Sequence, residues 1–323
     1  MRAIQISSAG GPDVLTPVEL PDPQAGPGEL LVEVAAAGIN YIDTYQREGI
    51  YPMPLPYVPG LEGAGRVRAV GEGVAGFAVG DRVAWAENLG SYAELVAIAA
   101  DKAVAVPDAV SDDVAVGALL QGMTAHFLVT DCHPVQAGEN LLVHAAAGGV
   151  GLLLTQLAAA RGGRVIATVS TAEKEELARG AGAAEVIRYT EVDDLAAAVR
   201  ELTGGDGVHV AYDSVGATTF DASLASLRRR GMLVLFGASS GPVPPVDPQR
   251  LNAAGSVFLT RPKLFDYNAT RDELTARAAA VYSAVADGTL DVRIGHRYPL
   301  AEARTAHEDL QARRTTGKLL LIP

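Results

Sequence analysis

Apolar and polar positions follow two different rhythms along the 323 residues. Up to about residue 121 the apolar runs are short and punctuated by Gly and Pro, as in Gly71-Glu72-Gly73 and Val79-Gly80-Asp81. They predict strands over 30–36, 65–70, 81–85, 92–98 and 103–106, which describes a curled, β-rich domain. One stretch, 40–47, breaks the β alternation and predicts a short helix. The proline-rich run Tyr51-Pro52-Met53-Pro54-Leu55-Pro56-Tyr57-Val58-Pro59 follows it and, being stiff, suits one wall of a cleft. From about 122 to 264 the rhythm changes. Strands are predicted over 140–144, 164–169, 185–188, 208–212, 232–236 and 256–260, alternating with helices over 152–160, 172–179, 193–202 and 218–229. Strands joined by single helices require right-handed crossovers, so the fold class is α/β with a doubly wound parallel sheet. Residues 265–323 add helices over 271–286 and 300–313 and a last strand over 318–322, which returns most economically to the first domain.

The centre of the second rhythm is Asn140-Leu141-Leu142-Val143-His144-Ala145-Ala146-Ala147-Gly148-Gly149-Val150-Gly151. The spacing Ala146-x-Gly148-x-x-Gly151 places small residues where a dinucleotide-binding turn needs them. The backbone can turn tightly, approach a pyrophosphate and meet its charge with N–H groups of the following helix. Alanine and glycine are abundant in this chain, so the spacing counts only in its strand-to-helix context, which is present.

The next strand ends at Thr168-Val169-Ser170-Thr171 without the Asp or Glu that would take a ribose diol, and Lys174 follows. Hydroxyls and an ammonium suit a 2′-phosphate, so NADP is favoured over NAD. Asp213-Ser214-Val215-Gly216 and Phe236-Gly237-Ala238-Ser239-Ser240-Gly241 follow the fourth and fifth strands, at the edge where open α/β sheets bind ligands.

Composition narrows the field. Hydrophobic residues make up 49% and charged residues 20%, ordinary for a globular chain of about two domains. A net charge of −12 argues against nucleic acid or an anionic membrane as main partner. No apolar run is expected to reach the roughly 18 residues that span a bilayer, and the expected location is cytoplasmic. The single cysteine, Cys132, forms no internal disulfide. The six histidines, His126, His133, His144, His209, His296 and His307, show no i, i+4 pair and no cysteine partners, so no metal is expected. His144, inside a buried strand, reads as a core residue with satisfied hydrogen bonds. Neither a Ser-His-Asp order nor a G-x-S-x-G elbow supports hydrolysis. Glu62, in Pro59-Gly60-Leu61-Glu62-Gly63, is an acid in a small-residue turn whose partners the sequence does not show.

The run 144–151, with Asn40-Tyr41-Ile42-Asp43-Thr44-Tyr45, Tyr212-Asp213-Ser214-Val215-Gly216, Phe236-Gly237 and the ending Thr316-Gly317-Lys318-Leu319-Leu320-Leu321-Ile322-Pro323, resembles the NADPH:quinone oxidoreductases related to zeta-crystallin. These form a zinc-free branch of the medium-chain dehydrogenase/reductases. The resemblance implies a GroES-like catalytic domain over 1–121 and 265–323, a Rossmann NADP-binding domain over 122–264, a cleft between them and a homodimer joined at the sheet edge formed by 256–260. It implies cofactor contacts from Tyr41, Ile42, Asp43, Thr44 and Tyr45. Gly148, Gly149 and Val150 would lie at the pyrophosphate, Ser170, Thr171, Lys174 and Tyr189 at the ribose phosphate, with Ser214 beyond. Leu235, Phe236, Gly237, Ala238, Arg261, Pro262, Lys263 and Arg313 would serve the nicotinamide side. Asn40 and Tyr51 would border the substrate. Phe127 stands where relatives often carry a tyrosine that touches the cofactor, so a hydroxyl contact is lost. Where related zinc enzymes place a cysteine and a histidine, this chain reads Ala37-Gly38-Ile39-Asn40 and Gly60-Leu61-Glu62.

A quinone is already electrophilic, so hydride transfer to it needs alignment and a dry pocket more than an acid or base, in keeping with the missing acid–base dyad. Reduction of an enone or 2-enoyl thioester, which needs a proton donor beside the nicotinamide, is the first alternative. An NADPH-binding structural or RNA-regulatory role is the second.

Overall fold

The computed structural model describes every residue from Met1 to Pro323. The chain divides into two units: Met1–Leu120 with Asn268–Gly288 and Val292–Pro323, and Gln121–Tyr267 with Thr289–Asp291.

The first unit is built on the strand Glu29–Ile39, which pairs antiparallel with Glu62–Val70, Leu95–Ala99 and Lys318–Ile322. Its alternation explains why: Leu30, Val32, Val34 and Ala36 point into the core while Glu33 faces out. Trp85, Tyr92, Ile98, Leu319 and Leu321 complete that core, and each large side chain so buried contributes roughly 1.5 to 3 kcal/mol. Register shifts at Leu31/Val32 and Val34/Ala36 curl the sheet. The helix Tyr41–Arg47 starts as the strand ends. Asn40 stays extended as its N-cap, and the Asp43 carboxylate accepts the Asn40 N–H at 2.8 Å, the returning half of a capping box. The predicted last strand, Lys318–Ile322, does return to this sheet, between Glu29–Ile39 and Ile294–Pro299.

The second unit holds six parallel strands in the order Glu185–Arg188, Arg164–Val169, Asn140–Val143, Val208–Asp213, Leu227–Leu235, Phe258–Thr260. Numbered along the unit this is 3-2-1-4-5-6, with the direction of winding reversed beside Asn140–Val143.

Several expectations are corrected. The helix predicted over 218–229 spans only Phe220–Ser226, and Leu227 already opens the next strand. Arg228, Arg229 and Arg230 are exposed, and exposed arginines at a frayed strand start look like the polar face of a helix; Arg230 has φ 58°, outside helical geometry. The strand expected over 92–98 is Leu95–Ala99, because Tyr92 and Ala93 pair instead with the N-terminal strand Arg2–Gln5. The helix Asp112–Phe127, continued by a π-type turn Leu128–Cys132, was not predicted at all. It is apolar on every side and so lacks the 3.6-residue stripe that marks a surface helix. Contrary to the expectation that no apolar run is long enough, Asp112–Cys132 has the length and hydropathy of a membrane span; 67% of its most apolar window is buried inside the fold, as in a core helix.

Candidate active site

In the second unit, the turn after Asn140–Val143 shows why its residues are small. Ala145 takes φ 50°. Gly148 is the extended N-cap of the helix Gly149–Ala160, and no side chain caps that helix. Other helices of the chain are capped by Thr171, Asp194, Asp247 and Thr270. A Cβ on Gly151 would lie 2.3 Å from the Ala145 carbonyl oxygen, and one on Gly149 would lie 2.0 Å from Gln121 Oε1. Gly148 is less confined, its nearest contact being Ala145 O at 3.2 Å. The result is a 12-residue helix whose uncapped amino end meets a backbone surface without bulk, at the sheet's switch point. These residues fit a pyrophosphate.

The flanking strand ends converge on the same edge. Val169 and Arg188 are register partners, so Ser170 and Tyr189 lie side by side, and the Tyr189 N–H donates to Val169 O at 3.1 Å. The Thr171 hydroxyl caps the helix Ala172–Gly180 by accepting the Lys174 N–H at 3.3 Å, which places Lys174 in the first turn. Its neighbour Glu175 is committed to Arg179 at 2.9 Å and Arg188 at 3.2 Å. On the other side of the turn, Asp213 pairs with Leu235. The loops that follow zip together through Ser239 N–H to Ser214 O, Ser240 N–H to Val215 O and the Ser240 hydroxyl to Val215 O. Gly237 is required there, because its Cβ would lie 2.4 Å from Ser214 O. Phe236, Gly237 and Ala238 remain partly accessible and Leu235 is buried. Arg261 is exposed, Pro262 buried, and the Lys263 ammonium pairs with Asp266 at 3.2 Å.

Two side chains at this edge turn out to be structural. The buried Asp213 carboxylate accepts from Val215 N–H, Gly216 N–H and the Thr219 and Ser223 hydroxyls, which holds the loop after its strand. His144 is satisfied by Thr168 and Ser223 at 2.9 Å each, as the sequence predicts for a core histidine, and burial lowers its pKa. Phe127 is buried and stacked on Tyr267 with ring centroids 4.3 Å apart.

In the first unit, Tyr41, Tyr45 and Tyr51 form an aromatic row, with centroid separations of 6.3 and 5.6 Å. The Tyr41 hydroxyl donates to Leu310 O, close to Arg313, and Tyr51 is exposed. Ile42 is partly accessible. Asp43 and Thr44 point inward. Thr44 donates to Tyr41 O at 2.7 Å, and Asp43 is wholly buried, so their side chains serve the helix. Asp43 ends a directional chain. Arg47 can only donate, so His307 Nδ1 accepts from it at 3.0 Å and Nε2 carries the hydrogen toward the Tyr92 oxygen at 3.1 Å; the Tyr92 hydroxyl then donates to Asp43 at 2.9 Å. Burial pushes Asp43 up to about 7. Burial, with the Arg47 charge beside it, pushes His307 down to about 3.

Glu62 requires a correction: its partners exist. It lies at the start of a strand, wholly buried, and accepts from Lys318 Nζ, from Asn40 Nδ2 at 2.6 Å and from Leu120 N–H at 3.3 Å. Sequence reasoning missed Lys318 because pairing across 256 positions leaves no local trace. The available signal was a lone lysine heading the apolar run Leu319-Leu320-Leu321-Ile322. Nowhere do three or more His, Cys, Asp or Glu side chains gather as a metal-binding group.

Comparison with known proteins adds the following. Residues 26–108 match the model of the alcohol dehydrogenase GroES-like domain, and 149–275 that of the zinc-binding dehydrogenases. The chain is 46% identical to a quinone oxidoreductase of Salmonella typhimurium over 99% of both proteins. It is 41% identical to a 2-haloacrylate reductase of a Burkholderia species, covering 100% of this chain and 99% of that protein. Among solved structures, a mycobacterial protein complexed with NADPH superposes with a TM-score of 0.98 at 55% identity, covering 100% of both chains.

Proposed function

Because the chain belongs to the quinone oxidoreductases of the medium-chain dehydrogenase/reductase superfamily, we propose that it is an NADPH-dependent quinone reductase. The observation that carries this reading is the uncapped amino end of Gly149–Ala160 at the switch point, with hydroxyls and Lys174 in place of an acid at the neighbouring strand end. NADPH, when bound, supplies the hydride. The residues of the chain hold it. Gly148, Gly149 and Val150 offer backbone to the pyrophosphate, while Ser170, Thr171, Lys174 and Tyr189 receive the ribose phosphate. Ser214 and the 235–238 and 261–263 segments of the second unit frame the nicotinamide; Tyr41, Tyr45 and Arg313 are the cofactor residues that the resemblance assigns to the first unit. Asn40 and Tyr51 border the electrophile. A quinone needs orientation and exclusion of water more than an acid or base, and the row Tyr41, Tyr45 and Tyr51 supplies aromatic surface, while buried Glu62, Asp43 and Asp213 each accept a hydrogen bond from a neighbouring side chain.

The relative named for 2-haloacrylate reduction supports a second reading, hydride delivery to an activated alkene. One assay separates them: NADPH oxidation followed with 9,10-phenanthrenequinone, with 2-chloroacrylate and with crotonyl-CoA. Turnover of the quinone alone supports the first reading; turnover of an alkene alone replaces it with the second. Binding of NADPH with no turnover on any of them would point to a non-enzymatic role. We further propose a homodimer joined at Phe258–Thr260, the edge strand of the parallel sheet, where Phe258 is 58% exposed.

A further inference from the structure

The buried group formed by Glu62, Lys318 and Asn40 goes unused in that scheme, yet its hydrogen bonds are unusually determinate. Lys318 is 1% exposed, and its ammonium faces three acceptors: Ile39 O at 3.3 Å, Asn40 Oδ1 at 3.1 Å and Glu62 Oε1. Three N–H groups meet three oxygens, so the amine is saturated as a cation. Glu62 takes Asn40 Nδ2 on the same oxygen and Leu120 N–H on the other. An asparagine amide normally permits two orientations that differ by a half-turn. Here it does not. A lysine can only donate, so the atom it meets is the amide oxygen; an ionised glutamate can only accept, so the atom it meets is the amide nitrogen. The local sequence is shaped around this clamp. Gly38 is the cross-strand partner of Glu62, and a Cβ there would lie 2.2 Å from Glu62 Oε1, so only glycine leaves the carboxylate its place. The Asn40 backbone is held as well, through its N–H to Asp43.

We propose that Glu62 and Lys318 are positioning residues that lock the Asn40 amide in one orientation for use against the oxygen of the electrophile. This rests on the reading that Asn40 borders the substrate. A charge-bearing oxygen develops as a quinone is reduced. An amide fixed in one orientation meets that oxygen in the same way at every turnover, whereas a freely flipping amide alternates between donor and acceptor. A buried cation–carboxylate pair contributes little net stability compared with an apolar pair of the same shape, so geometry at Asn40 accounts for retaining it.

The test is a double-mutant cycle in kcat/KM for 9,10-phenanthrenequinone, read on NADPH-saturated enzyme. Its arms are Asn40→Ala, the paired change Glu62→Gln with Lys318→Met, and all three together. Removing both charges at once avoids stranding one of them. Loss of a preorganised donor costs roughly 100-fold in turnover, and loosening one about tenfold. Thus Asn40→Ala is expected to lower kcat/KM strongly, the paired change about tenfold, and the triple variant no further than Asn40→Ala. An undiminished effect of the paired change in the Asn40→Ala background overturns the proposal, as does a paired variant with normal kcat/KM. If Asn40→Ala itself leaves kcat/KM unchanged, the substrate-bordering reading is what fails, and the clamp has nothing to position. Should the paired variant not fold, selectively labelled Asn40 in the wild-type enzyme decides. Two distinct, slowly exchanging side-chain amide protons are expected, and rapid exchange of both refutes the clamp.

Discussion

Replacing His307 by Gln tests the chain that runs from Arg47 to Asp43. The imidazole is buried, and its pKa is depressed from 6.5 to about 3. Between those values the folded protein binds fewer protons at this site than the unfolded chain, so the stabilisation is complete above about pH 6.5 and is lost as pH falls toward 3. The slope is about 1.36 kcal/mol per pH unit, and between pH 7 and 4.5 the wild type loses about 2.5 kcal/mol through this one group. Asp43 acts in the opposite sense. Its folded pKa is raised from 3.8 to about 7, so the fold takes up an extra proton as pH falls through the same window. The two contributions offset each other. Glutamine can accept from Arg47 and donate to Tyr92 without titrating, so His307→Gln removes one side of the balance. Relative to wild type the variant is expected to gain about 2.5 kcal/mol on going from pH 7 to 4.5. The protein's single tryptophan, Trp85, is buried in the same unit as His307 and reports its unfolding. With a urea dependence of about 2 kcal/mol per molar, the difference between the two midpoints should change by roughly 1 M across that range. A difference that stays constant with pH would show that His307 is not held neutral by its surroundings.

Other outcomes follow from the same geometry. Lys174→Ala should weaken NADPH by about 1.5 to 3 kcal/mol with little effect on NADH, measured by calorimetry, because a charge-assisted bond to phosphate is lost; equal losses would show that this lysine does not read the phosphate. Gly151→Ala forces the helix from the Ala145 carbonyl and should cost about 1 to 3 kcal/mol in unfolding experiments and impair binding of either nucleotide. Gly148→Ala, with φ −77° and its nearest contact at 3.2 Å, should leave stability within about 1 kcal/mol; the reverse ranking would refute this account of the turn. Tyr51→Phe distinguishes a wall from a proton donor: unchanged turnover across pH leaves the ring as packing only, and a lost acidic limb assigns it the proton. Phe258→Asp should give a monomer by light scattering, and an unaltered mass would place any subunit contact elsewhere.

Local rules made much of this chain legible. Strands 164–169 and 185–188 emerge where predicted because each is a short apolar run closed by turn residues. The short helix near residues 40–47 was legible as a break in the β alternation, and the structure adds the capping box that starts it at Asn40. The glycine turn could be read because its requirement, a lack of side chains between a strand and a helix, shows within a dozen consecutive residues. What was hidden depends on partners far away. Nothing near Glu62 announces Lys318, and nothing near Asp43 announces Tyr92 or His307. The helix Asp112–Phe127 escaped for a different reason: a segment apolar all round carries no period to detect.

The return of Lys318–Ile322 to the first sheet has a consequence for biosynthesis. Lys318 meets Ile39 across 279 intervening steps of chain, whereas every strand of the parallel sheet lies between Asn140 and Thr260. On the ribosome the nucleotide-type lobe can therefore mature while its elder neighbour waits for a closing strand, and such distant pairing is slow. A nascent chain halted after Tyr267 would hold all six parallel strands beside one gaping sheet, with Glu62 lacking the ammonium of Lys318.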